Sequence, residues 1–352
     1  MRVTGNGACL FNDVGKDVVC HVVAYLSWKL QELNFPQKLL NIVVKVANGT
    51  PVTEFILVGF SSSPALLTVC FTLFLLIYLL TVFFNSLIIV ITKLDCNLHT
   101  PMYFFLSNFA FLEIWYTTTT MPTFLSGFLT MRRSISHQGC ITQLCFFFCF
   151  GPTEFFLLAV MALDRYVAIC NPLRYSAIMS QTVCIRLAGG SWVGGFVTGW
   201  ALTAPITRLN FCADNQINHF FCDFAPLISL ACSDKALSEI TFFTLSHSVV
   251  LSSLLLTTVS YVNIGRTIVR IPSSSGRQKA FSTCASHLTV VSIFYGTVIF
   301  MYLRPTSRYS FHMDKLMSVF YCVITPFLNP LIYSLRNKDV RAALQKALRK
   351  LR

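Results

Sequence analysis

Charged side chains are scarce in this chain. Lys, Arg, Asp and Glu make up 12% of the 352 residues, whereas apolar residues make up 55%, and the mean hydropathy is +0.65. So few charges cannot cover the surface of a water-soluble globule of this length. The composition therefore excludes a soluble domain and indicates an integral membrane protein.

Acidic residues are the scarcer of the two charged groups, with 14 Asp and Glu against 27 Lys and Arg. The net charge of +13 raises the question of nucleic-acid binding. The basic residues, however, fall between apolar runs and form no stripe with interleaved aromatic residues. We expect no nucleic-acid partner, because membrane topology explains these charges better. The 14 cysteines are too scattered for a disulfide-rich secreted scaffold.

The apolar residues are grouped into seven segments that approach or exceed the roughly 20 residues needed to cross ~30 Å of hydrocarbon. They cover 65–91, 101–122, 140–163, 183–206, 240–262, 285–303 and 316–335. The pattern predicts an all-α membrane protein, a seven-transmembrane helix bundle forming one domain over 65–335. Residues 1–64 precede it, and 1–46 form an atypical extension.

Lys and Arg are unevenly distributed between the connections, with the larger share on the side of Arg174, Arg270 and the tail 336–352. This bias predicts that the tail is cytoplasmic and that the N-terminus faces outside or the lumen. For this multi-pass protein we expect the plasma membrane, with the N-terminus extracellular. Asn48-Gly49-Thr50 is a glycosylation sequon on the extracellular side. In the tail, Val340, Leu344 and Leu348 recur at helical spacing among basic residues, which predicts a short amphipathic helix lying on membrane lipids.

Asp164-Arg165-Tyr166 closes the third apolar segment. Ionisable groups at the edge of a hydrocarbon span are costly and usually functional, so this triplet predicts a releasable charge pair. The alternative is a helix end flanked by snorkelling charges. In the seventh segment, Pro330 removes a backbone hydrogen bond beside Asn329, which predicts a kink. Together, in this order and on one side, the two motifs indicate a receptor switch.

Glu113 and Glu154 lie inside the second and third apolar segments. An unpaired carboxylate in the bilayer core costs several kcal/mol. We expect the two acids to meet and either to share a proton or to hold a cation such as Na⁺. Two separately protonated acids remain the alternative.

Four longer motifs carry a family resemblance. They are LHTPMYFFL at 98–106, MALDRYVAIC at 161–170, KAFSTCASHL at 279–288 and NPLIY at 329–333. The chain resembles the rhodopsin-like G-protein-coupled receptors and, within them, the olfactory (odorant) receptors of tetrapod-type class II. The resemblance implies a receptor, not an enzyme, that detects odorants and activates a stimulatory, olfactory-type heterotrimeric G protein, raising cyclic AMP.

The resemblance also implies site residues. It implies disulfides between Cys140 and Cys222 and between Cys212 and Cys232. The implied ligand cage consists of Phe147, Phe148, Gly151, Leu245, Ser246, Val249, Tyr295, Val298, Tyr302 and Cys322. This apolar set suits a small hydrophobic or volatile molecule, and with no acid facing Phe147 a cationic amine is not expected. The implied G-protein switch comprises Asp164, Arg165, Tyr166, Tyr261, Asn329, Pro330 and Tyr333.

Two rival classes and one rival site lack support in the sequence. A secondary transporter should show two similar halves with interrupted helices, and no internal repeat is visible. An intramembrane hydrolase needs a nucleophile and a base at one depth, but His287 lies too near the cytoplasmic end. The stretch from His219 to Asp223 resembles a metal-binding motif, yet a bridged Cys222 is a poor thiolate donor, which favours a structural role.

Overall fold

The computed structural model describes residues 52–58, 63–129, 134–212, 215–302, 311–336 and 338–351. The long helices are α1 (Pro64–Leu94), α2 (Pro101–Leu129), α3 (His137–Cys170), α4 (Gln181–Thr203), α5 (Ala236–Val269), α6 (Ser274–Tyr302), α7 (311–336) and α8 (Lys338–Leu351). Within α7, the π-helical piece Phe320–Ile324 separates Phe311–Val319 from Thr325–Arg336. Asn48 and the extension 1–46 lie outside the described residues.

In the part of the connections that the structure describes, there are five short helices. They are Cys96–Leu98, Pro172–Arg174, Tyr175–Ile178, Ile206–Arg208 and Phe224–Ile228. They keep the turns between long helices compact.

Four stretches of these helices are long and apolar enough to cross a membrane, namely Ala65–Leu94, His137–Cys170, Ala236–Arg270 and Lys315–Tyr333. A shorter apolar stretch, Cys284–Ile299, lies in α6. Helices α2 and α4 are not among these stretches, and α2 contains Glu113 and four consecutive threonines, whereas α4 contains five glycines. Seven crossings therefore remain a prediction.

The helices extend beyond the apolar segments in most places. Helix α3 begins at His137 and ends at Cys170, and α6 begins at Ser274, eleven residues before the predicted segment. A helix continues through polar residues once it leaves hydrocarbon, so the apolar pattern marks only its inner part. Helix α4 instead ends early, at Thr203, close to Pro205. Pro205 has no backbone N–H, so it cannot donate the hydrogen bond that would continue the helix.

Helix α3 lies at the centre of the bundle. Its side chains are buried on several sides, and Leu157, Leu158 and Ala162 have no exposed surface. Helix α4 approaches it closely at Gly195 and Gly199. A Cβ atom at Gly199 would overlap the backbone of Cys149, and one at Gly195 would overlap Thr153. Only glycine permits this distance between the two backbones.

A small sheet, which the all-α prediction missed, lies at the end of the bundle where α3 begins. Strand β1 (Glu54–Leu57) pairs antiparallel with β2 (Ser134–Ser136) and parallel with β3 (Gln216–Ile217). Strands of two to four residues have too few positions for an alternating pattern, and they form here because three separate connections meet. The Lys315 Nζ atom adds a hydrogen bond of 2.7 Å to the Val58 carbonyl oxygen.

Helix α8 follows α7 and packs its apolar side inward. Val340 is 2% exposed and Ala343 is 5% exposed, and Leu344 is partly buried against the core. Lys346 lies 3.4 Å from Asp95, which ties the helix to the connection between α1 and α2. The structure thus has a helix at Lys338–Leu351, and its position on membrane lipids stays a prediction.

Candidate functional site

A cavity of about 110 Å³ lies beside α3, chiefly between α3, α4, α5 and α6. This volume is several times the ~10–15 Å³ that one water molecule requires. The lining is predominantly apolar and comprises Tyr116, Phe147, Phe148, Gly151, Pro152, Glu154, Phe155, Thr198, Leu202, Phe242, Ser246, His247, Val249, Val250, Leu251, Leu254, Phe294, Val298, Ile299 and Tyr321. Such a cavity has the character of a small-molecule site.

The lining of α3 owes its shape to Gly151 and Pro152. A Cβ atom added at Gly151 would meet no atom within 4 Å, so the glycine leaves open space on this side of the helix. Pro152 lies inside the helix and lacks the N–H that would bond to the preceding turn. The absence of a side chain at Gly151 therefore leaves room for the cavity beside α3.

Six of the ten predicted cage residues line this cavity, and they are Phe147, Phe148, Gly151, Ser246, Val249 and Val298. Tyr295 and Cys322 are buried but do not line it, and Leu245 is partly buried beside it. Tyr295 packs its ring 5.6 Å from that of Phe155. The side chain of Tyr302 lies outside the described residues.

The cavity also contains residues that the sequence reading missed, including Tyr116, Thr198, Phe242 and Tyr321. Glu154 is among the lining residues, so an acid does face the space that Phe147 lines. This corrects the expectation that the cage lacks an acid. The helical spacing of Phe147, Gly151 and Glu154 already indicated that Glu154 lies on the same face of α3 as Phe147.

Aromatic side chains from the α4–α5 connection cover the cavity at the end where α3 begins. The rings of Phe221 and Phe147 lie 5.2 Å apart, and the ring of Phe224 stacks on that of Phe242 at 3.9 Å. Phe221 has no exposed surface. We call the segment from His219 to Phe224 the aromatic cover.

Disulfides and hydrogen bonds fix the aromatic cover. Cys140 of α3 is joined to Cys222, with their Cα atoms 5.5 Å apart. The Cys222 backbone N–H donates to the Gln143 side-chain oxygen at 3.0 Å. Cys212 is joined to Cys232 further along the same connection. The cover is thus attached to α3 both covalently and by a buried polar contact.

His219 is a buried histidine inside the aromatic cover. Its Nε2 atom lies 3.2 Å from the Ser318 Oγ atom, and its ring stacks against Phe220. Burial, and secondly the positive charge of Lys315, lowers the pKa of His219 to about 3. The ring is therefore neutral at physiological pH and acts as a packing group. Among the described residues, no group of three His, Cys, Asp or Glu side chains could hold a metal ion.

The two buried acids occupy different surroundings. Glu113 accepts a hydrogen bond from the Asn329 Nδ2 atom. The other Glu113 oxygen and the Asn329 Oδ1 atom have no hydrogen-bond partner among the described residues. Glu154 lies in the cavity wall. The Glu113–Asn329 hydrogen bond thus connects the second and seventh helices.

Asp164 and Arg165 form an ion pair at the opposite end of α3 from the aromatic cover. The Arg165 Nε atom donates to the Asp164 Oδ2 atom at 3.0 Å, and an Nη2 contact adds to the pair. The Tyr175 hydroxyl donates to the Asp164 Oδ1 atom at 2.8 Å. Burial, together with the Asp164 charge, raises the pKa of Tyr175. Tyr175 is a partner that the sequence reading missed, since it belongs to the short helix Tyr175–Ile178.

The remaining predicted switch residues lie on α3, α5 and α7. The Tyr261 hydroxyl lies 2.6 Å from the His287 Nδ1 atom. The Tyr333 hydroxyl is buried without a hydrogen-bond partner among the described residues, and its ring packs against Phe109. Pro330 lies inside the last helical piece of α7. Tyr166 is partly buried against the core.

An apolar cavity at one end of a helical membrane bundle, with a buried Asp–Arg pair at the other, defines a membrane receptor of the G-protein-coupled class. Residues 74–350 match the family model described as olfactory receptor. The chain belongs to the olfactory receptor family. Its members are signalling receptors of the membrane, not enzymes, and membership implies odorant sensing through a G protein.

Individual relatives cover most of the chain. Olfactory receptor 6Y1 of Homo sapiens is 50% identical over 310 residues, which are 88% of this chain and 95% of the relative. Olfactory receptor 226 of Rattus norvegicus is 50% identical over 84% of this chain and 92% of its own length. Olfactory receptor 5AR1 of Mus musculus is 50% identical over 86% of this chain and 98% of its own length.

Proposed function

We propose that this receptor lies in the plasma membrane, crosses it seven times and keeps its N-terminus outside. Large apolar side chains such as Val197 and Trp200 are about two-thirds exposed, as expected for residues that contact lipid. The excess of basic residues in the connections near Arg165 and in the tail supports a cytoplasmic position for that end. Residues 1–64 are then extracellular, with Asn48 glycosylated, and α8 lies on the inner leaflet.

The ligand is a small hydrophobic or volatile molecule bound in the cavity beside α3. The observation that carries this proposal is the enclosed apolar lining, in which Phe147, Phe148 and Phe155 face Val249 and Val298. Binding energy comes mainly from desolvation and dispersion, up to about 1.5 kcal/mol per heavy atom for the smallest ligands. A few hydroxyl groups and the Glu154 carboxyl provide orientation.

The signal passes from the cavity to the Asp164–Arg165 pair through a shift between two arrangements of the helices. An agonist that binds the open arrangement more tightly increases its population. In that arrangement Asp164 releases Arg165, and Tyr261 and Tyr333 reorganise around it. The groove that opens binds a stimulatory, olfactory-type G protein, which raises cyclic AMP.

A cyclic-AMP reporter assay against an odorant panel tests this function. We expect Arg165→Ala to abolish the response and Asp164→Asn to raise the basal signal, because one change removes the switch and the other frees it. Phe148→Ala should weaken the potency of an agonist about tenfold or more, in line with the ~1–3 kcal/mol that pocket contacts contribute. Phe146→Ala is the matched control, since Phe146 is 45% exposed and does not line the cavity.

Surface expression of each variant shows whether it folds. A full agonist response in Arg165→Ala would contradict the switch. Equal losses of potency in Phe148→Ala and Phe146→Ala would contradict the binding site.

The polar group of Glu113, Glu154 and Asn329 would hold Na⁺ in the resting receptor. The fit rests on the Glu113 and Asn329 oxygens that have no hydrogen-bond partner among the described residues, since Na⁺ takes carboxylate and amide oxygens as ligands. Replacing Na⁺ by a bulky organic cation should raise the basal signal of the parent receptor. Glu113→Gln should respond less to this replacement. If parent and variant respond alike, Na⁺ does not act here.

A further inference from the structure

The cavity is closed towards the end where α3 begins. Its lining residues all belong to helices, and the aromatic cover, which is part of the α4–α5 connection, packs on the lining residues Phe147 and Phe242 at that end. Within the cover, Phe220 is 4% exposed, and Phe221 and Cys222 have no exposed surface. The Cys140–Cys222 disulfide holds this cover against α3. Among the described residues, the cover therefore leaves no direct path from the cavity to the water on that side.

The lining reaches the outer surface of the bundle on another side, between α4 and α5. Leu251 lines the cavity and is nevertheless 56% exposed. Thr198 and Leu202 of α4 and His247 of α5 also line the cavity. We call these four residues the α4–α5 opening. Leu251 lies near the middle of α5 (Ala236–Val269), which places the opening at hydrocarbon depth.

The polar groups of the opening are already bonded within their own helices. The Thr198 hydroxyl donates to the Gly194 carbonyl oxygen at 2.7 Å. The His247 Nδ1 atom lies 2.7 Å from the Phe243 carbonyl oxygen. An apolar molecule passing between α4 and α5 would therefore break neither hydrogen bond, whereas a charged molecule would have to lose its hydration.

We propose that apolar ligands reach the cavity from the lipid bilayer through the α4–α5 opening. This inference rests on the proposed function in one respect, namely that the cavity binds small apolar molecules. Such molecules concentrate in hydrocarbon, by about fourfold for each methylene group. The bilayer then acts as the reservoir from which the receptor samples its ligand.

Photolabelling of the full-length receptor in lipid vesicles tests this route. An apolar phenyl-diazirine is supplied in donor vesicles, and light is applied after increasing delays. The label on the α3 peptide with Phe148 and Phe155, which face the cavity, is compared with the label on exposed Leu73 of α1. A sulfonated diazirine that stays in water serves as the second probe.

Leu251→Trp narrows the opening, and Leu251→Ala widens it. Leu255→Trp is the matched control, because Leu255 is 66% exposed one turn further along α5 and does not line the cavity. We expect a several-fold loss of early α3 labelling by the apolar probe in Leu251→Trp and a gain in Leu251→Ala. Leu255→Trp should label like the parent, and the sulfonated probe should leave the cavity unlabelled.

Two results would overturn the proposal. One is equal early labelling of α3 in the parent, both Leu251 variants and the control. The other is labelling of the cavity by the sulfonated probe as fast as by the apolar one. If Leu251→Trp does not fold, the comparison of Leu251→Ala with the parent decides. The readout involves no G protein, so a receptor that labels through the opening but answers no odorant would contradict the proposed function alone.

Discussion

The two ends of the bundle are held together by different kinds of interaction. The end with the aromatic cover has two disulfides, a three-stranded sheet and close aromatic packing. The end with Arg165 relies on polar contacts, mainly the Asp164–Arg165 pair, the Tyr175 hydroxyl and the Tyr261–His287 hydrogen bond. We call them the disulfide end and the Arg165 end.

Because of this difference, the disulfide end keeps one structure, whereas the Arg165 end can change its structure. Disulfides and packed rings do not exchange partners during signalling, so the shape of the cavity is maintained. A hydrogen bond contributes only ~0.5–1.5 kcal/mol net, and the buried Tyr333 hydroxyl is available as a new partner. The Arg165 end can therefore adopt a second arrangement at low cost.

Removing the Cys140–Cys222 disulfide should have the largest effect, because it destabilises the disulfide end. Cys140→Ser combined with Cys222→Ser opens a loop of 82 residues, for which chain entropy predicts a loss of about 4 kcal/mol of stability. Removing Cys212–Cys232 opens a loop of 20 residues and should cost about 3 kcal/mol. Thermal unfolding of purified receptor measures both.

Cys70→Ser is the control for these pairs, because Cys70 is a free cysteine of α1. Equal melting temperatures for the Cys140/Cys222 variant and the control would contradict the role given to the disulfide end.

Tyr175→Phe tests the Arg165 end with a smaller effect. It removes only the hydroxyl that donates to Asp164. A loss of about 1 kcal/mol from the resting arrangement corresponds to about fivefold in the equilibrium. We therefore expect basal cyclic AMP to rise by up to that factor, with agonist potency slightly improved.

Tyr78→Phe is the matched control for Tyr175→Phe. It removes a hydroxyl that contacts Thr118 between α1 and α2, away from Arg165. A rise in basal signal in the control as large as that in Tyr175→Phe would mean that any lost tyrosine contact activates the receptor.

The pH dependence of the disulfide end should be the smallest effect. His219 has a folded-state pKa of about 3, below its ordinary value of 6.5. The stability that neutral, buried His219 contributes is fully present above pH 6.5, and it is lost as the pH falls from 6.5 towards 3. Between about pH 7 and pH 5.5 the loss is about 1 kcal/mol.

Melting temperatures across this range measure the effect. His219→Gln should show a flatter pH profile, whereas His99→Gln, a change at an exposed residue, should keep the parent profile. A parent receptor that is equally stable at both pH values would contradict the neutral, buried state of His219.

Sequence patterns predicted the helices better than their ends. Apolar runs identified α1, α3, α5 and α7, because hydrocarbon contact demands a long apolar surface. The sheet was missed, since Glu54–Leu57 depends on strands from two distant connections. Helix ends were misplaced by several residues, because polar turns beyond the hydrocarbon carry no apolar signal.

The candidate site was predictable where it depends on position along one helix. Helical spacing and resemblance placed Phe147, Phe148 and Gly151 at the cavity. Contacts between helices were harder to predict. The burial of Tyr295 away from the lining and the bond from Tyr175 to Asp164 depend on side-chain packing in three dimensions, which no local pattern encodes.

The glycine contact between α3 and α4 determines which helix can yield to an incoming molecule. Gly195 and Gly199 bring the two backbones so close that neither helix can slide or rotate without collision. Helix α5 has no comparable glycine contact among those described. Any widening beside Leu251 therefore requires a movement of α5. The same helix carries Tyr261, so ligand entry and the conformational change that follows both depend on α5.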